Sequence, residues 1–138
     1  MSNGISMYDP MLDLDPEQWG SLDEDQRLEM VIEYHREARI DLPDIHTHAL
    51  LHVIIENQIA LGGETPVATT TRRLLNEGLD RHDAIHAIAS ILANFIFERM
   101  QSEANDLSNE LYYVELKQLT ADKWSRGEFM DTADKSRK

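Results

Sequence analysis

Apolar residues recur at intervals of three and four along most of this chain, the period of helices buried on one side. The first stripe is Leu28, Val31, Ile32, His35 and Ala38. Ser21-Leu-Asp-Glu24 ahead of it fits a capping box, and Asp41-Leu-Pro43 ends it, because the residue before proline disfavours helical angles. A second helix is expected from about Asp44 to Leu61, with Pro43 at its first turn and Gly62-Gly63 as its stop. His48, His52, Ile55 and Ile59 share its stripe. A short third helix runs from about Pro66 to Glu77, contributes Leu74 and Leu75, and closes at Gly78. The fourth opens on Asp80 as N-cap, with Asp83 at the third position, and continues to about Gln101. Ile85, Ile88, Ile91, Leu92, Phe95 and Ile96 cover most of its circumference, the pattern of a helix in the middle of a bundle. The fifth begins near Asp106 or Ser108 and reaches Lys123. Leu107, Leu111, Val114 and Gln118 lie on one side, and Tyr112, Leu116 and Leu119 widen the stripe.

No strand-like alternation of useful length and no internal repeat interrupts these helices. The expected fold is all-α: a compact bundle of about five helices over residues 21–124. An extended acidic arm, residues 1–20, precedes it, and a polar tail, 125–138, follows. Met11, Leu12, Leu14 and Trp19 are the side chains that would pin the arm down.

Length and charge narrow the function classes. A chain of 138 residues suits one domain with a single modest core. Its 13 basic residues against 26 acidic ones leave a net charge of −13, with seven acids ahead of the first basic residue, Arg27. That balance argues against nucleic acid, which needs clustered Lys and Arg, and against anionic membranes. It permits a basic protein partner, though solubility accounts for the charge equally well. The absence of cysteine removes disulfides and thiolate metal sites. The longest mostly apolar run, Ala84 to Phe97, carries His86, Ser90 and Asn94, and is too short and polar to span a bilayer. The N-terminus lacks the basic and apolar regions of a signal peptide, so a cytoplasmic location is expected.

Two segments carry the chemistry. His48-Ala-Leu-Leu-His52-Val-Ile-Ile-Glu56 and Arg81-His82-Asp83-Ala84-Ile85-His86 each space two histidines four apart, one turn apart on one helix face. Short loops favour antiparallel neighbours, so the second and fourth helices should run roughly parallel, with all four imidazoles at one level. His48, His52, Glu56, His82 and His86 are therefore the candidate ligands of a divalent metal, with zinc, iron or nickel as the ions that suit imidazole. A bound water there would be acidified. Both pairs lie near helix N-termini, whose partial positive charge opposes a cation unless Glu56, Asp80 and Asp83 offset it. His48-x-x-x-His52 has the spacing of the zinc-protease helix, but Ala49 stands where that helix carries its glutamate base. The competing reading is structural: a buried neutral histidine that bonds a carboxylate or carbonyl and specifies packing. His35 fits that description, and His46 reads as a surface residue.

The run from His48 to Gln58, then Arg73-Leu-Leu-Asn-Glu-Gly78, then Arg81 to Ile88, resembles a family of small bacterial proteins labelled only as a domain of unknown function. The resemblance covers about residues 27–100 and implies a helical, bacterial, cytosolic protein, without implying a substrate. Three functions follow from the residues. One is a metal-binding protein, extending to a small hydrolase. The second is a non-enzymatic interaction or scaffold protein, homodimeric or bound to a basic partner, with structural histidines. The third is a pH-responsive switch built on clustered imidazoles.

Overall fold

The computed structural model describes residues 7–38, 44–101 and 109–127. Among them are seven α-helices and no strand, so the chain has the all-α class expected of its periodicity. It divides into two compact units, one ending at Ala68 and the other beginning at Thr69.

The first unit contains α1 (Pro16–Gly20), α2 (Glu24–Glu37), α3 (Ile45–Ala60), a single 3₁₀ turn at Gly62–Glu64, and the start of α4 (Val67–Asn76). α2 begins later than the sequence suggests. Ser21 is used by the short helix before it, its hydroxyl donating to the Gln18 carbonyl at 2.7 Å. Asp23 caps α2 instead. Its carboxyl accepts from Gln26 N–H at 2.8 Å, while the Gln26 side chain accepts from Asp23 N–H at 2.9 Å. The capping box exists, shifted by two residues and built on Asp23 and Gln26. Asp44 caps α3 by accepting from both the backbone N–H and the hydroxyl of Thr47. Thr47's hydroxyl, and then its N–H, hold the Asp44 carboxyl below the ordinary carboxylate range. The boundary expected at Asp41-Leu-Pro43 lies outside the described residues. Gly62 takes φ +63°, the left-handed turn that stops α3 cheaply only as glycine.

α2 packs on α3 around a core of Tyr8, Trp19, Val31, Ile32, Ala49 and Val53. Two of these six come from the acidic arm, which is seated on the unit from residue 7 onward. Of the anchors expected there, Trp19 is buried and Leu14 packs against the core, while Met11 and Leu12 remain exposed. Tyr8 was not expected, and it is 3% exposed. The arm's end is held by polar bonds. Asn57 Oδ1 on α3 accepts from Trp19 Nε1 at 2.8 Å and from Arg27 at 3.0 Å, and Arg27 Nε donates to the Trp19 carbonyl.

The second unit holds the rest of α4, α5 (Arg81–Gln101), α6 (Glu110–Gln118) and α7 (Ala121–Arg126). α4 ends as expected at Gly78, which takes φ +115°. Leu79 N–H bonds the Leu74 carbonyl and Gly78 N–H the Leu75 carbonyl, the paired bonds of a Schellman cap. Asp80 caps α5, accepting from Asp83 N–H at 2.8 Å. From Ala84 to Leu92 nearly all of α5's apolar side chains are buried, but Phe97 and Met100 are exposed. α6 packs on α5, with Tyr112 stacked on Phe95 at 5.6 Å between ring centroids.

The expected fifth helix is broken in two. Leu119 leaves helical geometry, and the Thr120 hydroxyl accepts from Lys123 N–H to begin α7. The buried face of α6 is Tyr112 and Leu116, with Leu119 just beyond it. Leu111 and Val114, expected inside, are 55% and 47% exposed. The consecutive apolar residues Leu111 to Val114 made two faces available, and the face that carries Tyr112 and Leu116 is the one buried. A latch ties the end of α4 to this pair. Arg73 donates to Glu77 at 2.7 Å and to the Leu116 carbonyl at 3.0 Å, and Glu77 accepts from Ala121 N–H at 2.8 Å.

The Ala121 N–H, with Arg73 second, holds the Glu77 pKa below its usual 4.5. A depressed acid stabilises the fold above its unfolded pKa and loses that contribution as pH falls through the folded value. Glu77→Ala should therefore lower stability near neutral pH by about 1 kcal/mol. In thermal melts the gap to the parent protein should narrow as pH drops below 4.5.

Candidate metal centre

Three imidazoles meet inside the first unit. His35 comes from the last turn of α2, and His48 and His52 lie one turn apart on α3. His35 and His52 are 0% exposed, and His48 is partly buried. The ring centroids form a near-equilateral triangle: 4.8 Å for His35–His48, 5.0 Å for His35–His52 and 4.9 Å for His48–His52. Imidazoles sharing one tetrahedral ion at about 2.0–2.1 Å per nitrogen would hold their centroids about 5 Å apart. One nitrogen from each ring can be chosen so that all lie within 4.8 Å of one another.

Hydrogen bonds fix which nitrogen two of these rings can offer. His35 Nδ1 lies 2.8 Å from the Val31 carbonyl, which can only accept, so Nδ1 carries the proton. In the neutral ring Nε2 is then the nitrogen with a lone pair. The same reasoning applies to His52 through an intermediate. The Tyr8 hydroxyl has one proton and donates it to Glu56 Oε2 at 2.6 Å. Tyr8 also lies 3.1 Å from His52 Nδ1, so its oxygen accepts there and His52 Nδ1 is protonated. The chain Glu56–Tyr8–His52 leaves His52 Nε2 as a lone pair. Metal-ligating histidines are ordinarily fixed this way, by a carboxylate or carbonyl on the far nitrogen. Here the carboxyl acts through a tyrosine.

The helix ends also balance. His48 sits in the first turn of α3, where the dipole opposes a cation, but His35 brings the negative end of α2 to the same place. The exposed carboxyl of Asp44 caps the unfavourable end.

The expected ligands are thus distributed over more than one role. His48 and His52 come together with His35, the histidine read from the sequence as a core residue. Glu56 is 1% exposed and accepts from Tyr8, one bond removed from the imidazoles. His82 and His86 pair on α5 in the second unit, with ring centroids 4.2 Å apart, and both are partly buried. His46 is exposed, as expected. Among the described residues of the first unit, His35, His48 and His52 have the chemistry to hold an ion. The sequence signal for His35 was its place between Val31 and Ala38 on a buried stripe. With no second ligand on its own helix, spacing gave no reason to prefer it. Tyr8 lies in an arm without periodicity, and nothing local marks it.

Tyr8→Phe keeps the ring in the core and removes the hydroxyl, leaving Glu56 buried without that donor. The expected cost is about 1–3 kcal/mol by chemical denaturation, well above that of an ordinary surface substitution. Comparison with family models, with curated proteins and with solved structures finds no match to this chain.

Proposed function

We propose that this protein binds a divalent transition-metal ion through His35, His48 and His52 of the first unit. The observation that carries this reading is the commitment of two Nδ1 atoms to acceptors. Val31 holds one and Tyr8, backed by Glu56, holds the other, within a triangle of rings spaced as a shared ion requires. A set of structural histidines needs partners for its rings. It has no need to set neighbouring tautomers so that both retain Nε2 lone pairs. An all-imidazole donor set without thiolate favours zinc or nickel, with ferrous iron next, over magnesium or calcium, which prefer oxygen. Three imidazoles from one unit fill three of the four positions of a tetrahedral zinc site and leave the fourth to a further ligand or a water.

The interaction or scaffold reading has its own support. Leu111 and Val114 on α6, and Met11 and Leu12 on the arm, are exposed apolar side chains on elements that could meet a second copy or another protein. The two readings are compatible, since a bound metal can stabilise a binding module.

Protein purified without an affinity tag should carry close to one equivalent of zinc, nickel or iron by elemental analysis. After chelation, zinc at 100 times its Kd should restore stability by about 2.7 kcal/mol. His35→Ala and His52→Ala should each abolish the metal-dependent part of that gain. No stoichiometric metal, together with a melting temperature indifferent to added zinc and nickel, would remove the proposal.

A further inference from the structure

α2 carries a second feature, independent of the imidazoles. Asp25, Glu29, Glu33 and Glu37 follow one another at intervals of four, so their carboxyls form a single row along the helix. All four are exposed. The row spans twelve residues, about 18 Å at the helical rise. Like charges at this spacing cost a helix about 0.2–0.5 kcal/mol per pair, so the row works against the element that bears it. Among the described residues the row makes a loose ion pair, Glu33 to Arg36 at 3.8 Å, with both side chains exposed.

Two shallow, open hollows adjoin one another beside the row, sharing Glu29 and Met30. One, of about 370 Å³, is floored by Met7, Met30, Tyr8 and Tyr34 and edged by Glu29, Glu33 and Glu37. The other, of about 410 Å³, continues past Leu22, Asp23, Asp25 and Gln26. A trough with methionine and tyrosine side chains in its first part, and carboxyls repeating at helical spacing along it, fits a helix that is apolar on one stripe and cationic beside it. The two methionines add unbranched, adaptable side chains, suited to a surface that receives another chain.

From this complementarity of charge and shape we infer that the α2 trough docks a basic amphipathic helix of a partner protein. Lysines or arginines four apart would lie along the acidic row, and leucine-sized side chains would fill the hollows. A second copy of this chain is a poorer occupant, because a protein of net charge −13 meets its own acidic row with repulsion.

The probe is a designed, fluorescently labelled helical peptide with lysines at every fourth position and leucines on the adjoining stripe. A control peptide has the same composition with the leucines scattered around the helix. Anisotropy titration with the full chain should give saturable one-to-one binding of the amphipathic peptide, at least tenfold tighter than the control. The triple variant Glu29→Gln, Glu33→Gln, Glu37→Gln should weaken binding at least tenfold and leave the melting temperature unchanged or higher, since it relieves repulsion. Met7→Asp adds another negative charge while spoiling the hollow. Met7 is 71% exposed, so the fold should tolerate the change. Docking into the trough predicts weaker binding for this variant, whereas simple charge attraction predicts tighter. Equal binding of the two peptides, tighter binding by Met7→Asp, or a dimer in sedimentation that the triple variant dissolves would each overturn the inference. None of these outcomes depends on whether the imidazoles hold a metal.

Discussion

The hydrogen bond from Tyr8 to Glu56 is the contact on which the first unit depends. Glu56 is buried on a helix whose other interior residues are alanine, valine, isoleucine and histidine, where an unsatisfied carboxyl would be costly. Tyr8 satisfies it at 2.6 Å and fills the space beside Trp19, with 6.1 Å between ring centroids. The same hydroxyl then turns the His52 ring and selects its tautomer. One side chain from the arm thus completes the core, offsets a buried acid and orients a candidate ligand. Seating of the arm and readiness of the site are consequently one event, not two.

That coupling explains how the arm is seated although Met7, Met11 and Leu12 stay exposed. Its charged positions face water. Tyr8, Leu14 and Trp19 supply the burial, and Asn57 and Arg27 lock the last turn through the Trp19 indole and carbonyl. The polar bonds fix one position for a segment whose apolar area alone would leave several close in energy.

Helix positions were legible in the sequence wherever caps and stops were local. Asp44, Gly62, Gly78 and Asp80 act where their chemistry says they should, because each needs only its immediate neighbours. Ser21 misled because it satisfies the same motif as Asp23 and was taken up by a five-residue helix with no periodicity to announce it. On α6 two faces competed, and only packing against Phe95 decided for Tyr112. For the site, spacing revealed His48 with His52 and His82 with His86, since helical geometry alone makes each pair. His35 and Tyr8 reach the same place through tertiary contacts across 13 and 44 residues, for which a linear pattern holds no record. Glu56 was recognisable as important, but its role changed once its partner was known.

The central claim is that His35 and His52 are held as Nδ1-protonated imidazoles, so that Nε2 is the nitrogen each can offer to an ion. Long-range nitrogen–proton correlation spectra of nitrogen-labelled, chelator-treated protein read this directly. Both rings should show a protonated Nδ1 and a bare Nε2, and one equivalent of zinc should move the Nε2 resonances while leaving Nδ1 protonated. Rings found with the proton on Nε2, or Nε2 resonances that zinc leaves in place, would contradict it.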